Sequence, residues 1–561
     1  MNTKVTDYII SFIALFAFLL LLIENSSYFA GFSNTIKLIN ITILIVFASE
    51  LCYRFFTSAN RPSFLKSNWF SLIVFIPLVQ FVTGAESTPL TVIIRQIVII
   101  TMLMSRASKA LNLIKLLNFK PAQTMLATFS FTIGAGAILL MLPVATNSGA
   151  ATSLIDAIFT ATSATCVTGL SVQDTASHFS LFGKTVILTL IQLGGLGIMT
   201  FSVSLALVLK KSVNLSKQIE MQEVLDQDTL TTTKNLTAFI IKMTLLIEIV
   251  GALVLFMAWK DRFANPLTTL YNAVFHSISA FCNAGFSTFS DSLTRFATDP
   301  ITNITISLLI IFGGLGFLVI KDLFDNIRYK FTTRGHKLFK LRVHTKIVLV
   351  VSLGLIFAGW ALLYLVESNS AFGAFEPGGK ALLSFFHSVS ARTAGFNSCE
   401  ISSLAPASLL IMIVLMFIGA STGSTGGGLK TTTFFVLWSA VISGFKKKQN
   451  VEAYKRTIPL SVVQKASNLF VFSIAILMVF TVALLYFEKH MFLDILFETV
   501  SAFGTVGLST GITPSLTNKG KVLLTLLMFI GRLGPLTIGY ALIVRKKPAK
   551  YFYPEERVMI G

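Results

Sequence analysis

Four short segments of the chain share one residue pattern and end in a glycine at the same register. They read FTATSATCVTGL at residues 159–170, FHSISAFCNAGF at 275–286, FFHSVSARTAGF at 385–396 and FETVSAFGTVGL at 497–508. In each, a Phe lies ten residues before the glycine and a Ser-Ala pair stands between them. The glycines recur after 116, 110 and 112 residues. Low complexity would not keep this register four times, so we interpret the segments as an internal repeat.

The chemistry expected of these segments is cation binding by backbone oxygens. A cation that leaves water needs oxygens that replace its hydration shell, and rings of backbone carbonyls supply them in potassium channels. Glycine reaches the backbone angles of such a strand freely, which explains its recurrence. Ordinary glycine caps of helices are the alternative, but four in one register argue against it. The predicted ion-binding filter comprises Val167, Thr168, Gly169, Asn283, Ala284, Gly285, Thr393, Ala394, Gly395, Thr505, Val506 and Gly507.

The elements that must position these segments repeat as well. An apolar span precedes each segment, at residues 126–144, 237–259, 347–366 and 468–487. Another follows each, at residues 181–209, 304–320, 409–442 and 522–544. The first half of a segment, such as 154–162 or 493–500, is too short to cross a bilayer, which takes about 20 residues. We therefore expect re-entrant half-helices whose C-terminal ends point their partial negative charge at the ion.

The composition agrees with lipid as the solvent. The 561 residues are 54% hydrophobic and 12% charged, whereas soluble domains are about a quarter charged. A net charge of +20 would suggest nucleic acid for a soluble domain. Here the basic residues cluster between apolar spans, at 210–217, 321–346, 446–448 and 545–547. This positive-inside pattern predicts cytoplasmic loops, so the expected partner is membrane lipid and not nucleic acid.

Residues 1–118 precede the repeats and are predicted to form four further spans. Basic residues between spans two and three and after span four put the N-terminus inside, which gives twelve spans with both termini cytoplasmic. The fold class expected is an all-α integral membrane protein. It has four span–pore-loop–span repeats around a pseudo-fourfold cation pore, plus an N-terminal four-helix bundle. The predicted domains are 1–118, 119–230, 231–345, 346–458 and 459–561.

The N-terminal spans resemble a degenerate voltage-sensor domain. Glu50 and Arg54 in span two and Trp69 at the start of span three carry this resemblance. Span four has no three-residue arginine ladder; its basic residues are Arg95, Arg106, Lys109 and Lys115. Each gating charge contributes about 2.3 kcal/mol per 100 mV, so steep voltage dependence is not expected. A four-helix accessory bundle is the alternative.

The repeat region resembles the Trk/Ktr/HKT superfamily of potassium transporters over residues 119–561. The matching strings are ATCVTGL, SARTAGFN, FGTVGLSTGIT, STGSTGGGLKT and GRLGPLT. The bacterial Ktr-type pore subunit is most similar, because its YPEE-like tail has a counterpart at residues 553–556. The resemblance implies a potassium uptake channel or transporter in the cell membrane, not an enzyme. It also implies a homodimer and a cytosolic regulatory ring that binds a nucleotide (ATP/ADP or NAD). The chain itself is expected to hold no cofactor, only K⁺ as the transported ion.

A Gly/Ser/Thr-rich segment at residues 419–433 interrupts the second span of the third repeat. Its glycines cost a helix about 1 kcal/mol each, and a break at membrane depth requires a cavity. The resemblance implies an intramembrane gate below the filter; a packing seam of small residues is the alternative. The predicted gate residues are Gly419, Ser421, Gly423, Gly426, Gly427, Gly428, Lys430 and Arg532.

Three charged residues lie inside apolar segments, where charge is costly and functional by default. Arg532, in the final span, is predicted to donate to carbonyls and hydroxyls of the gate segment. Arg392 stands directly before the third filter strand, and Glu498 lies on the fourth half-helix. We expect Arg392 and Glu498 to pair and to brace the filter.

Three other functions remain open at this stage. A sodium-permeable relative is one, although plant relatives that carry sodium replace the first filter glycine with serine and this chain has Gly169. A voltage-gated cation channel is another. The third is an intramembrane serine hydrolase, because residues 419–423 match G-x-S-x-G around Ser421, with His276 or His387 as the base. That motif requires a strand-to-helix setting, which these segments do not predict.

Overall fold

The computed structural model describes residues 121–209, 233–332 and 341–542, isolated positions between 39 and 56, and Glu556. The predicted N-terminal bundle lies outside these residues apart from those isolated positions. The basic clusters at 210–217 and 545–547 and most of the YPEE tail also lie outside them. The described part is mostly helical.

The described helices follow one order four times: a long helix, a short helix, a loop, and a second helix. The long helices are α1 (Pro121–Leu140), α4 (Thr233–Trp259), α8 (Val343–Glu367) and α12 (Leu460–Phe487). The short helices are α2 (Leu154–Thr165), α5 (Pro266–Phe281), α9 (Pro377–Ser390) and α13 (Phe492–Gly504). The second helices are α3 (Leu181–Leu209), α6 (Pro300–Leu315) with α7 (Phe317–Thr332), α10 (Pro406–Phe417) with α11 (Thr431–Phe445), and α14 (Asn518–Leu533) with α15 (Pro535–Leu542).

The short helices have local start signals and cannot cross a bilayer. The side chain of Ser153 caps α2 by accepting from the amide of Asp156 at 3.2 Å, and Asn265 caps α5 by accepting from Leu267 at 2.9 Å. Proline at the first helical position of α5 and α9 has the backbone angle that a helix start needs. The 13 residues of α13 span about 20 Å at 1.5 Å per residue, against about 30 Å of hydrocarbon.

The four units close into a ring. Each short helix packs against the long helix of its own unit. The second helix of each unit also packs on the short helix of the next: α3 on α5, α6 on α9, α10 on α13, and α14 on α2. The short helices therefore lie at the centre. Each of them carries a fully buried phenylalanine four residues before the shared serine: Phe159, Phe275, Phe386 and Phe497.

Three of the four second helices are broken, and two of these breaks fall within spans that the sequence predicts to be continuous. The sequence predicts one continuous span at 304–320, but the chain turns by 101° between α6 and α7. Gly316 at this turn has φ +90°, which a residue with a Cβ rarely adopts. Similarly, the predicted span 522–544 ends at Leu533, before Gly534 (φ +85°) and Pro535. The break between α10 and α11 lies within the predicted Gly/Ser/Thr segment.

Four of the described helices are long and apolar enough to cross a membrane: Ala122–Leu140, Ala238–Trp259, Val343–Glu367 and Leu460–Phe487. The bent pair formed by α6 and α7 gives a fifth if it counts as one span. Twelve spans remain a prediction, because four of them fall on residues 1–118. A small antiparallel hairpin, β1 (Val451–Ala453) and β2 (Arg456–Ile458), joins α11 to α12.

Candidate functional site

The four predicted filter strands have the same backbone shape. In each, the residue two before the glycine is left-handed: Val167 (φ 58°), Asn283 (59°), Thr393 (76°) and Thr505 (50°). Each glycine also has a positive φ: Gly169 (96°), Gly285 (68°), Gly395 (80°) and Gly507 (92°). Left-handed conformations are strained for residues with a Cβ and are concentrated at functional sites. Their recurrence in four units therefore favours these strands as the candidate functional site.

The four glycines form a closed ring with the carbonyls that precede them. A Cβ on Gly169 would lie 2.5 Å from the carbonyl oxygen of Ala284, and one on Gly285 would lie 2.7 Å from that of Ala394. The ring continues in the same sense, from Gly395 to the carbonyl of Val506 and from Gly507 to the carbonyl of Thr168. Each carbonyl thus occupies the space that a side chain of the neighbouring unit would need. Only glycine fits at the four positions.

A serine in each segment holds the filter strand, a role that the sequence reasoning missed. The hydroxyl oxygens of Ser163 and Ser501 accept from the amides of Gly169 and Gly507, both at 3.1 Å. The signal was present in the sequence as the Ser-Ala pair common to all four segments. In the other two units the hydroxyl donates to the carbonyl that follows the glycine, from Ser279 to Phe286 at 2.8 Å and from Ser390 to Phe396.

The third unit is one residue shorter than the others between its serine and its glycine. Helix α9 ends at Ser390, whereas α5 continues two residues beyond Ser279. As a result Phe386, not Phe385, is the fully buried counterpart of the other three core phenylalanines. The ten-residue spacing from Phe to Gly therefore identifies Phe385 in this unit, although the structural equivalent is its neighbour Phe386.

The residue after each core phenylalanine supports the loop beyond the filter in three units. His276 Nε2 bonds to Ser287 Oγ at 2.9 Å, and His387 Nε2 lies 3.3 Å from Cys399 Sγ. The equivalent Glu498 accepts from the hydroxyls of Ser509 and, at 3.0 Å, Thr513. These contacts fix the C-terminal end of the filter strands, where the chain continues into the loop after the glycine.

The predicted pairing of Arg392 with Glu498 is therefore wrong. Glu498 is satisfied by hydroxyls on the outer loop of its own unit. Arg392 donates to the carbonyl of Ser352 at 3.3 Å and to that of Gly419 at 3.4 Å. The two residues contact different layers: Glu498 the loop after the filter, and Arg392 the first residues of the Gly/Ser/Thr segment. Sequence position alone does not reveal this difference.

The hydrolase alternative also fails on geometry. The hydroxyl of Ser421 accepts from Thr431 Oγ1 at 3.1 Å, not from a histidine. The Nδ1 atoms of both candidate bases bond to backbone carbonyls of their own helices, His276 to Asn272 at 2.8 Å and His387 to Leu383 at 2.9 Å. With their Nε2 atoms occupied as well, neither imidazole is available as a base for Ser421.

The segment between α10 and α11 crosses directly beneath the filter. The amide of Gly427 donates to Thr505 Oγ1 at 3.0 Å, and a Cβ on Gly426 would collide with the hydroxyl of Thr393. On its other side the segment bonds to the end of α6, where the amide of Ser421 donates to the carbonyl of Gly314 at 3.0 Å. The segment is thus held between the filter strands and the broken second helices.

Arg532 ties this segment to the first unit. Its Nη1 donates to the carbonyl of Thr425, and its Nη2 donates to the carbonyl of Gly194 on α3 at 2.6 Å. The side chain is buried, with 5% of the residue exposed. Lys430 folds back within the segment and donates to the carbonyl of Gly426 at 2.7 Å. Both side chains therefore donate hydrogen bonds to carbonyl oxygens just below the filter.

A polar cavity of about 170 Å³ opens on the other side of the glycine ring. All four glycines line it, together with hydroxyls and the carboxylate of Asp174. Partial burial raises the pKa of Asp174, but hydrogen bonds from Ser290 and Ser177 and the amide of Ala176 outweigh it and hold the pKa below the ordinary value of 3.8. The cavity therefore carries a negative charge at neutral pH.

A buried ion pair joins the first and last units. Lys521 Nζ on α14 lies 2.8 Å from Asp156 Oδ1 on α2, and both side chains are almost fully enclosed. Asp156 also accepts from Gln173 at 3.3 Å. The pair spans 365 residues of sequence and lies where the ring of units closes.

The chain is similar throughout its repeat region to proteins of one family. A family model described as TrkH, cation transport protein, matches residues 92–552. The Ktr system potassium uptake protein B of Vibrio alginolyticus is 42% identical over 439 residues, covering 78% of this chain and 94% of the relative. The protein of the same description from Bacillus subtilis is 39% identical, covering 80% and 99%. The potassium/sodium uptake protein NtpJ of Enterococcus hirae is 37% identical, covering 79% and 97%.

A solved structure has the same fold. The crystal structure of the potassium transporter TrkH from Vibrio parahaemolyticus superimposes with a TM-score of 0.63, covering 85% of this chain and 97% of that one. Because the sequence identity is 17%, this similarity shows the fold alone.

Proposed function

The chain belongs to the TrkH family of cation transport proteins, and on that premise we propose that it is the pore-forming subunit of a potassium uptake system. Members of this family are transporters and not enzymes. The observation that carries the proposal is the closed ring of four glycines and four carbonyls. It supports binding of a dehydrated K⁺ by backbone oxygens of the four filter strands.

The path proposed for the ion leads from the carboxylate of Asp174 to the four carbonyls of the ring. Asp174 in the outer cavity attracts cations from the medium. The carbonyls of Thr168, Ala284, Ala394 and Val506 then replace water around the ion. Inward movement follows the membrane potential.

The Gly/Ser/Thr segment is proposed as the gate. It lies directly under Thr393 and Thr505, and non-helical backbone at membrane depth is tolerated only beside protein or a water-filled cavity. Arg532 stabilises the closed arrangement through its bond to Thr425. Opening requires that this bond break and that the segment move from the axis. Arg392, bonded to Gly419, supports the start of the same segment.

The assembly proposed is that of the bacterial Ktr-type systems which the chain resembles. It comprises two copies of this chain in the cell membrane, with both termini cytoplasmic, and a separate cytosolic ring whose bound nucleotide (ATP/ADP or NAD) regulates the gate. The N-terminal four-span bundle is an accessory domain in this proposal. The potassium uptake proteins of Vibrio alginolyticus and Bacillus subtilis, 42% and 39% identical, support the pore-subunit assignment.

Sodium permeation is a second candidate, because one relative at 37% identity is named a potassium/sodium uptake protein. The test is uptake of ⁸⁶Rb⁺ and of ²²Na⁺ into liposomes that contain the purified protein, with empty liposomes as the control. We expect Rb⁺ uptake to exceed Na⁺ uptake, and Gly169→Ser to reduce the ratio because its side chain would meet the carbonyl of Ala284. Equal uptake of the two ions by the wild type would support the sodium-permeable alternative.

A further inference from the structure

Glu248 is a buried acid at the middle of a membrane span, and the transport path proposed above does not use it. It lies on α4, in the apolar stretch Ala238–Trp259, with 5% of its surface exposed. Ionisable residues at this depth are costly, and by default they have a function.

The carboxyl group of Glu248 has few partners. Its Oε2 accepts one hydrogen bond, from Gln192 Nε2 on α3 at 3.3 Å. Its Oε1 is buried without a hydrogen-bond partner. None of the ion pairs among the described residues includes Glu248. A buried carboxylate without a cation is strongly disfavoured relative to the neutral acid.

The geometry indicates which oxygen carries the proton. Oε2 already faces a donor, so the proton belongs on Oε1. Thr244 lies one turn earlier on the same helix, fully buried and with an unpartnered hydroxyl oxygen. Side chains four residues apart on a helix are neighbours. Neither Glu248 Oε1 nor the Thr244 hydroxyl has a hydrogen-bond partner in this arrangement, so α4 itself leaves two buried polar atoms uncompensated.

The position of Glu248 couples it to the filter and to Arg532 through α3. Gln192, its hydrogen-bond donor, also accepts from Cys282 Sγ at 3.6 Å, and Cys282 directly precedes the filter residue Asn283. Two residues further along α3, the carbonyl of Gly194 accepts from Arg532 at 2.6 Å. A shift of this turn of α3 would alter both contacts.

The other charged and titratable groups near this site are few. Cys282, at the end of α5, interacts electrostatically with both Glu248 and Arg532. Tyr271 on α5 lies near Thr185, two turns before Gln192 on α3. Lys184 on α3 bonds to the loop carbonyl of Ala176 at 2.8 Å, and His276 on α5 bonds to Ser287. Lys242, on α4 itself, is exposed. Arg532 is linked to Glu248 through α3, which bonds to Glu248 at Gln192 and to Arg532 at Gly194.

We propose that Glu248 is a proton-binding site whose occupancy sets the position of α3 and, through it, the Arg532 contact. With the carboxyl neutral, its hydrogen bond from Gln192 holds α3 against α4. When a water molecule takes the proton, no other bond is broken, but a carboxylate is left in an apolar interface. This favours arrangements in which α3 moves, water reaches the carboxylate, and the Arg532–Gly194 bond is lost. Potassium flux therefore rises at alkaline pH.

The first experiment rests on the proposed function. ⁸⁶Rb⁺ uptake is measured in proteoliposomes with equal internal and external pH, from pH 6 to pH 9, for wild type, Glu248→Gln and Glu452→Gln. Glu452 is an exposed acid of the β-hairpin, paired with Lys448 at 2.6 Å, and serves as the matched control. We expect a rise of about fivefold with pH in wild type and Glu452→Gln, the lower end of usual coupling between sites. Glu248→Gln should stay at the pH 6 rate throughout. A pH-dependent rise that survives in Glu248→Gln overturns the proposal.

The second experiment is independent of transport. The infrared spectrum of wild type minus Glu248→Gln at pH 7 should contain the C=O band of a protonated carboxylic acid, which shifts in D₂O and disappears at alkaline pH. Glu248→Asp should retain such a band. A difference spectrum with carboxylate bands only would show that another cation neutralises Glu248 and would end the proton assignment. A band that Na⁺ removes at constant pH would assign the site to Na⁺ instead. Absence of Rb⁺ uptake together with a protonated band would refute the pore, not the proton site.

Discussion

The carbonyl oxygen of Thr168 occupies the space in which a side chain of Gly507 would stand. This contact joins the first unit to the last and completes the ring of four filter strands. All four strands belong to one chain, so the two residues of this contact are more than 300 positions apart in the sequence.

Replacing Gly507 with Ala should reduce discrimination between K⁺ and Na⁺, because the methyl group displaces the Thr168 carbonyl. Gly511→Ala is the matched control. Gly511 has nearly the same φ, 95° against 92°, but nothing lies within 4 Å of its Cβ position. Both variants therefore carry similar backbone strain, of about 1–2 kcal/mol, and only one disturbs the ring. The permeability ratio measured in planar bilayers should fall for Gly507→Ala alone. Equal ratios in the two variants would contradict the filter assignment.

Shortening the segment beneath the filter within residues 423–428 should raise ⁸⁶Rb⁺ uptake, because it removes the backbone that crosses below Thr393 and Thr505. Thermal unfolding and size-exclusion profiles of the purified variant establish that the fold persists. Uptake that falls in a variant with an unchanged unfolding temperature would identify the segment as a packing seam.

Arg532 should act through the geometry of its guanidinium group and not through charge alone. It donates from two nitrogens to Thr425 and Gly194, and a Lys ammonium lacks this planar fork. Arg532→Ala, Arg532→Gln and Arg532→Lys are all expected to increase ⁸⁶Rb⁺ uptake. Arg295→Gln, which removes an exposed cation paired with Asp291, should leave uptake unchanged. A Lys variant with wild-type flux would indicate a simple electrostatic barrier, and reduced flux in all three variants would make Arg532 a folding residue.

Asp174→Asn should raise the K⁺ concentration needed for half-maximal uptake at low ionic strength. One unit charge about 4 Å from the ion contributes about 1 kcal/mol in water, equivalent to about fivefold, and added salt should reduce the difference. Asp261→Asn, an exposed acid on another outer loop that does not line the cavity, is the control. An unchanged half-maximal concentration in Asp174→Asn at low salt would remove Asp174 from the ion path.

The pH dependence of this effect follows from the lowered pKa of Asp174. A carboxyl whose folded-state pKa is lowered contributes stability above its ordinary value of 3.8, and that contribution is lost as the pH falls through the lower folded value. The Asp174 carboxyl therefore stays ionised between pH 7 and pH 5. Over this range, wild type and Asp174→Asn should keep the same difference in the K⁺ concentration needed for half-maximal uptake. A difference between wild type and Asp174→Asn that vanishes by pH 5 would contradict this assignment.

Lys521→Met should destabilise the protein by about 3–5 kcal/mol, because it leaves the Asp156 carboxylate buried without its cation. Adding Asp156→Asn should recover part of the loss, since the double variant has no buried charge there. The measurement is the unfolding temperature in detergent for both single variants and the double variant. Additive losses would mean that the two residues do not interact.

The sequence predicted the four filter strands, but it missed the role of the serine that repeats with them and the point at which the third unit differs from the others. Glycine at one register in four segments led directly to the filter strands, because few other residues adopt that backbone. The break between α10 and α11 was predictable from its glycines. The shortened third hairpin was not, because Phe385 and Phe386 both fit the pattern. The bend at Gly316 falls within a predicted continuous span, because average hydropathy does not distinguish a straight helix from a bent one.

The partners of charged residues were the least predictable. Arg392 and Glu498 have opposite charges and lie near filter strands, which made a pair attractive. Their actual partners are backbone carbonyls for Arg392 and hydroxyls for Glu498. Such partners carry no charge pattern in a sequence. The bond of Arg532 to a carbonyl of the Gly/Ser/Thr segment was predicted, because the glycines of that segment had already indicated free backbone groups.

The closed ring also bears on how ion preference can change during evolution. In a filter made of four identical subunits, each substitution appears in all four strands. A change that would be tolerated in one strand is then present four times. Here the strands differ, with Val-Thr, Asn-Ala, Thr-Ala and Thr-Val before their glycines. A single codon therefore alters one quarter and leaves three intact. Selectivity in this architecture can drift in small heritable steps, each of which can be selected while the transporter still works.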